Sequence, residues 1–172
     1  MITDNSIAVS ESPEDQSDAG RAQLHDLLPF TLGQRVFAVF TDQVEATAES
    51  KPFARLPRAP NSVIGIVCVR GRMLTVIDPA ALLDGQSCEW NQALPCIIAL
   101  RTDEQLALAA ETYRDTITIA EADIERMPDV TAPPDQLIIG HVVYASEKIA
   151  ILNTSRIFSR VIQRRDRRRR RF

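Results

Sequence analysis

The sequence predicts an all-β protein of two pseudo-repeated small barrels packed together, with a C-terminal helix. Two observations carry that prediction. First, residues 64–83 align without gaps on residues 139–158, an offset of 75. Ile64, Gly65 and Val67 fall on Ile139, Gly140 and Val142 as identities. Leu74, Val76, Ile77, Asp78, Leu82 and Leu83 fall on Ile149, Ile151, Leu152, Asn153, Ile157 and Phe158 as conservative changes. Such a duplication implies two copies of one unit, each too small to bury its apolar face alone. Second, short apolar runs alternate with turn residues at regular spacing, the pattern of small barrels rather than of an α/β sheet.

Residues 1–26 are rich in Ser, Asp, Glu, Gln and Ala without an apolar period, so they are expected to be disordered. Structure is expected to begin near Pro29. A first hairpin folds Phe30 and Leu32 onto Val36–Phe40 around Gly33-Gln34. Val44 opens a strand that Lys51-Pro52 ends, and Leu56 to Pro60 form an extended connector, because each proline pushes its predecessor out of helical geometry. In the central hairpin Val63–Val69 is apolar on both faces, which implies a strand covered on both sides. Arg70-Gly71-Arg72 is its turn, with Gly71 free to take positive φ. Met73–Ile77 return, and Asp78 caps a short helical turn with Pro79 at its first position.

The second half replays this plan. Cys96–Leu100 and Gln105–Ala109 flank a polar turn, Tyr113 takes the place of Val44, and Met127-Pro128 through Pro133-Pro134 replace the proline connector. Leu137–Tyr144 and Ile149–Leu152 form the second hairpin. From Asn153 a helix is expected with Ile157, Phe158, Val161 and Ile162 on one buried stripe. The domain body is thus 27–163, followed by an arginine-rich tail, 164–172.

With 172 residues, 45% of them hydrophobic, the chain suits one domain or two small ones sharing an interface. No apolar run approaches the ~18 residues of a membrane helix, and a cytoplasmic location is the default expectation. Cys68, Cys88 and Cys96 have no metal-ligand spacing, and with only His25 and His141 beside them neither a zinc site nor a disulfide framework is expected. Cys68, in an apolar strand, reads as a buried inert thiol. The net charge of −3 divides into −5 over residues 1–26, +6 over 164–171 and therefore −4 over 27–163.

The motifs resemble those of the CheW-like domain, the coupling module of bacterial chemosensory arrays. The opening strand is Phe30-Thr-Leu-Gly33, the connector is Leu56 to Pro60, and the hairpin is Val63-Ile-Gly-Ile-Val-Cys-Val-Arg-Gly71 ending in Asp78. The resemblance covers about residues 29–162 and implies two five-stranded SH3-like barrels. Without kinase nucleotide motifs, a phosphotransfer histidine or a receiver pocket, it implies a free-standing adaptor between a chemoreceptor cytoplasmic tip and the regulatory domain of a CheA-type histidine kinase. A scaffold in a pilus-based twitching system is the alternative within the same fold. The chain departs from the family pattern at Cys68-Val69, where Asn-Leu is usual, at Ala46, and at Ala110-Glu111-Thr112-Tyr113.

The resemblance makes Arg70 the leading partner-binding residue. A guanidinium at a tight turn is placed for bidentate bonds to a partner carboxylate or carbonyls, and the plain alternative is a solvated turn arginine. Val44 matches a family position on the receptor side, with a strand-core valine as its alternative. Gly65, Gly71 and Gly140 read as structural. A groove between the barrels is a candidate dock for a helical receptor tip. No catalytic residue, cofactor or metal is expected: the acidic run Glu111, Asp115, Glu121, Asp123 and Glu125 reads as a solvated face, and His141 as a partly buried hairpin residue. Nucleic acid is not an expected partner, given the −4 body. The tail reads as solvated or bound to the chain's own acidic end, ahead of an anionic protein, membrane or nucleic acid partner.

Overall fold

Alternating apolar residues organise the chain into two sheets that each close on themselves. The computed structural model describes residues 23–91, 93–102, 104–127 and 136–169, with backbone alone at Ser50 and 162–169. In chain order the strands are β1 (Leu24–Leu32), β2 (Arg35–Phe40), β3 (Val44–Pro52), β4 (Val63–Val69), β5 (Arg72–Ile77), β6 (Ala93–Leu100), β7 (Leu106–Ala110), β8 (Thr112–Tyr113), β9 (Ile117–Ala120), β10 (Glu125–Arg126), β11 (Ile138–Tyr144) and β12 (Glu147–Leu152). Helix α1 (Pro79–Leu83) follows β5, and α2 (Thr154–Arg169) follows β12.

One sheet runs β3-β6-β7-β5-β4. It closes where the chain beyond β3 bridges back to β4, with Ala54 N to Ile66 O at 2.9 Å and Ile66 N to Ala54 O at 2.8 Å. The other runs β10-β11-β12-β2-β1, with β8 and β9 also on β1. A single 3-10 turn, Glu121–Asp123, joins β9 to β10, so one continuous segment pairs with both β1 and β11 and closes the second barrel.

The duplication is exact in register. β4 and β5 map onto β11 and β12 at the offset of 75, and a bulge at Val63/Gly65 recurs at Ile138/Gly140. The hydrogen bond from Asp78 N to Ser62 O, 2.8 Å, recurs from Asn153 N to Leu137 O, also 2.8 Å.

The two barrels are nevertheless not two successive halves. The first is built from 44–110 alone. The second combines the β1–β2 hairpin with 112–152, so the first is inserted within it. By the repeat, the β6–β7 hairpin belongs with β11–β12, yet it pairs with β5 in the first barrel, while β1–β2 pairs with β12.

Side-chain alternation on those hairpins explains the packing. On β7, Ala107 and Ala109 fill the first barrel while Leu106, Leu108 and Ala110 face the other way. On β2, Val36 and Ala38 fill the second barrel while Phe37 and Val39 face out. The outward sets, with Phe30, Cys96, Ile98 and Leu100, meet in a third core between the barrels, which α1 and α2 cap through Leu82 and Ile157.

Four expectations are corrected. Strand β1 begins at Leu24 rather than near Pro29, so residues 24–26 of the segment expected to be disordered are paired. The β9 ladder holds them, with His25 Nε2 2.7 Å from Glu121 Oε2 and Thr118 Oγ1 donating to Asp26 Oδ1 at 2.6 Å. Exposed and polar side chains hid that strand from an apolar pattern. Strand β4 is not covered on both sides at its outer end, and Cys68 is exposed, because β4 lies away from the core between the barrels. Phe158 is not on the buried stripe of α2 but 40% exposed. The helix also continues to Arg169, into the segment read as a tail. Most of the second proline connector, 128–135, lies outside the described residues, as do 1–22 and 170–172.

Candidate functional site

The β4–β5 hairpin joins Val69 to Arg72 through two residues, Arg70 and Gly71, with φ of 51° and 80°. Two successive positive φ values make the turn whose twist matches the flanking strands. Gly71 adopts that geometry freely, and a Cβ there would meet nothing within 4 Å. Arg70 adopts it at a cost of roughly 1 kcal/mol for a side chain without the local hydrogen bonding of Asn or Asp. The guanidinium is exposed, on a short turn held by both strands.

Beside it Arg72 forms an ion pair with Glu45, the residue after Val44. Glu45 thus binds across the rim of its own barrel. The outer face of the hairpin carries Cys68 opposite Met73, whose side chain is 62% exposed, an apolar surface adjoining the arginine tip. Val44 is half-buried against the core between the barrels, and its carbonyl accepts from Arg101 Nη2 at 3.4 Å.

The second barrel carries a counterpart of opposite charge. At the β11–β12 turn Ala145 and Ser146 have φ of 49° and 66°, so Ala145 occupies the place of Arg70. Glu147, in the place of Arg72, pairs with Arg114, which follows Tyr113 as Glu45 follows Val44. That pair holds the Glu147 carboxyl below its ordinary range, the hydrogen bond from Arg114 being the larger cause.

Glycines 65 and 140 sit where backbones cross. A Cβ on Gly65 would lie 2.3 Å from Ala54 O, and one on Gly140 2.6 Å from Glu125 O. Both are at the contacts that close the barrels.

Asp78 does more than cap α1. It is fully buried: Oδ1 accepts from Ala80 N at 3.0 Å and Ala81 N at 3.1 Å. Its Oδ2 accepts from Ser87 Oγ at 3.0 Å, Cys88 N at 2.9 Å and Trp90 Nε1 at 3.0 Å. One carboxylate therefore ties the loop after α1 to the fold. Between that loop and the proline connector lies an open groove of about 560 Å³, with Arg55, Arg58 and Pro60 on one side and Ser87, Glu89 and Trp90 on the other. The expected groove between the barrels is instead a small apolar gap under α1 and α2, lined by Leu82, Leu108, Leu152 and Ile157.

Two further ionisable groups are shifted by the fold. Burial, and secondarily Lys148, lowers the His141 pKa. Burial, aided by Glu49, pushes the Cys96 thiol up to about 11. Among the described residues no group of three or more His, Cys, Asp or Glu could hold a metal ion, and no helix is long and apolar enough to cross a membrane.

Sequence reasoning placed Arg70 on the hairpin tip but missed its left-handed backbone, the Arg72–Glu45 pair, the exposed Met73 and the loop-tying role of Asp78. An Arg-Gly pair between two apolar runs carried the first of these. The Arg72–Glu45 pair depends on segments 27 residues apart meeting, and the loop-tying bonds of Asp78 on an irregular loop that no residue pattern specifies.

The comparisons agree with this architecture. The family model of the CheW-like domain matches residues 26–161. A Rhizobium meliloti protein described as chemotaxis protein CheW is 26% identical over 107 residues, covering 62% of this chain and 69% of its own. A probable chemotaxis protein CheW of Rhizobium etli is 22% identical over 135 residues, covering 78% and 87%. The crystal structure of the scaffolding protein TtCheW from Thermoanaerobacter tengcongensis superimposes with a TM-score of 0.67 at 19% identity, covering 84% of this chain and 94% of that one.

Proposed function

The chain belongs to the CheW-like domain family, and on that premise we propose that it is a cytoplasmic, non-enzymatic adaptor between a chemoreceptor tip and the regulatory domain of a CheA-type histidine kinase. The observation that carries the reading is the arginine tip. A cation that a protein needs only for solubility has no reason to occupy a left-handed turn position where Asn or Gly is more stable. At Arg70 the side chain is exposed, no hydrogen bond or ion pair holds it among the described residues, and Met73 supplies adjoining apolar surface. An exposed guanidinium on a short two-residue turn loses little entropy when it forks onto a carboxylate or carbonyl pair. The adaptor's mechanism is positional: it holds kinase and receptor in one geometry, so receptor conformation biases the kinase.

The experiment is calorimetric titration of this chain with the regulatory domain of a CheA-type kinase from the same organism, beside the Arg70→Asn variant. Asparagine tolerates positive φ, so the fold keeps its stability within ~0.5 kcal/mol. If Arg70 is a contact hot spot, loss of ~2 kcal/mol weakens binding about 30-fold. Saturable one-to-one binding that the variant loses supports the reading. Equal affinity for both proteins removes Arg70 from the interface, and absence of binding by the folded wild type defeats the kinase-coupling role.

A further inference from the structure

The open groove of about 560 Å³ between the proline connector and the loop after α1 has no part in the adaptor reading. It belongs to the first barrel alone. In the second copy Asn153 stands where Asp78 does, and the long α2 follows in place of the five-residue α1 and its loop. That barrel closes without such a loop, so closure does not require one.

Both walls are fixed before anything enters. Asp78 Oδ2 holds Ser87, Cys88 and Trp90 through three bonds. The connector is pinned at its two ends, by the bridge from Ala54 to Ile66 and by Val63 N donating to Pro60 O at 2.9 Å. Arg55 ties one wall to the other: its Nη2 donates to Trp90 O at 3.1 Å, and its guanidinium lies 5.4 Å from the centre of the Phe53 ring. A groove preformed in this way loses little entropy on binding.

The charges lining it favour an anion. Arg55 and Arg58 face a single carboxylate, Glu89. Arg58 is exposed, its backbone is held at a φ of 60°, and among the described residues no hydrogen bond or ion pair holds its side chain. Such a guanidinium is placed to fork onto a carboxylate. The body as a whole, with a net charge of −4 over residues 27–163, repels acidic chains, so the attraction is local to this wall. Leu56, Pro60 and Trp90 add apolar surface beside the charges. The shape favours a chain over a small molecule. An open groove does not enclose most of a small ligand's surface, whereas an extended peptide makes contacts along its length and continues into solvent.

We propose that this groove docks a short extended segment of a partner protein that carries aspartate or glutamate, with Arg58 binding a carboxylate and Trp90 packing against the adjoining residue. The site is separate from the arginine tip. Strand β4 runs from Val63 at the groove to Val69 before the tip, about 20 Å of extended chain, so both are open to occupation together.

The test begins with the dye-labelled full chain on an array of blocked hexapeptides containing Asp or Glu, beside counterparts with Asn or Gln. The acidic peptides should retain about ten-fold more protein, the effect of one charge-assisted contact. The tightest acidic peptide is then titrated in solution. Emission of Trp90, the sole tryptophan, should shift saturably. Arg58→Asn, which suits the left-handed backbone, should weaken binding about ten-fold, while Arg70→Asn should leave it unaltered. Raising salt from about 50 mM to about 500 mM should weaken it several-fold. Equal retention of acidic and amide peptides overturns the proposal, as does equal affinity of wild type and Arg58→Asn. Loss of binding in Arg70→Asn would move the acidic contact to the tip and overturns it too. Displacement of the peptide by succinate at equal concentration would mean a small-anion site, which also overturns docking of a chain. Matching urea midpoints confirm that the variants are folded.

Discussion

Replacing Asp78 by asparagine tests how far one buried carboxylate organises the first barrel. The substitution keeps size and shape, so packing changes little. The amide oxygen can still take the two bonds to Ala80 N and Ala81 N and cap α1. The amide nitrogen, however, then faces three donors: Ser87 Oγ, Cys88 N and Trp90 Nε1. The Ser87 hydroxyl can rotate and accept; Cys88 N and Trp90 Nε1 cannot. Each stranded donor costs about 1–3 kcal/mol, and as both residues are only half-buried the lower part of that range applies. The expected loss is about 2–4 kcal/mol, roughly 6–12 °C in melting temperature for a body of this size. Trp90 is the chain's sole tryptophan, so its emission reports the loop directly. We expect a red-shifted emission in the folded variant and a lower urea midpoint at unchanged slope. A midpoint within ~0.5 kcal/mol of wild type, with Trp90 emission unaltered, would refute the idea that Asp78 holds the loop.

Other expectations are independent of that one. Gly65→Ala and Gly140→Ala each drive a methyl group into a backbone carbonyl, so both should lose about 2–4 kcal/mol in chemical denaturation. Gly71→Ala meets no atom and should lose only ~1 kcal/mol through its φ of 80°; the reverse order would mean the barrel closures are soft. In the native protein at mildly alkaline pH, a thiol reagent should modify exposed Cys68 promptly and leave Cys96, raised to about 11 and buried, until unfolding. Mass mapping of the labelled peptide decides that. Arg126, and less strongly His25, holds the Glu121 carboxyl below its ordinary 4.5. The unfolded chain therefore takes up that proton first, so the stability from Glu121 is complete above the ordinary value and is lost as pH falls below it. Melting curves of Glu121→Gln between about pH 5 and about pH 3 should fall less steeply than those of wild type.

The legible part of this fold was its local chemistry. Gly33-Gln34 and Arg70-Gly71 announced hairpins of two-residue loops, Asp78-Pro79 announced a capped helix, and the offset of 75 located the second copy to the residue. What stayed hidden was pairing between distant segments. Nothing in Ala107–Ala110 tells whether that strand lies beside β5 or beside β12, because either partner suits an apolar strand. Leu24–Asp26 has no apolar period, since ladder bonds to β9 hold it rather than burial. Cys68 was misjudged for the same reason: alternation assigns a face to a residue, but only topology says whether that face is covered. At the site, Arg70 could be found from its turn, whereas Glu45 and Arg72 are 27 residues apart and meet only because the barrel closes.

The comparison of the two hairpins separates what duplication kept from what it released. Both copies keep the bulge, the glycine at the crossing backbone, the two-residue turn with positive φ and the amide bond to the residue before the strand. These are backbone requirements, and the second copy meets them with a different residue wherever a side chain is free to vary. The rim ion pairs occupy matching places with their signs exchanged, Glu45–Arg72 in one barrel and Arg114–Glu147 in the other. Either sign closes a rim, so closure alone cannot explain which end is basic. At the turn itself, Ala145 satisfies the second copy's geometry with a methyl group while the first spends an arginine on the same strained position. A fold that needed only a turn would accept Asn, Gly or Ala at both. The arginine is where the two copies differ in chemistry at one shared backbone position, and that difference is what the proposed contact with partner carboxylate or carbonyl oxygens would use.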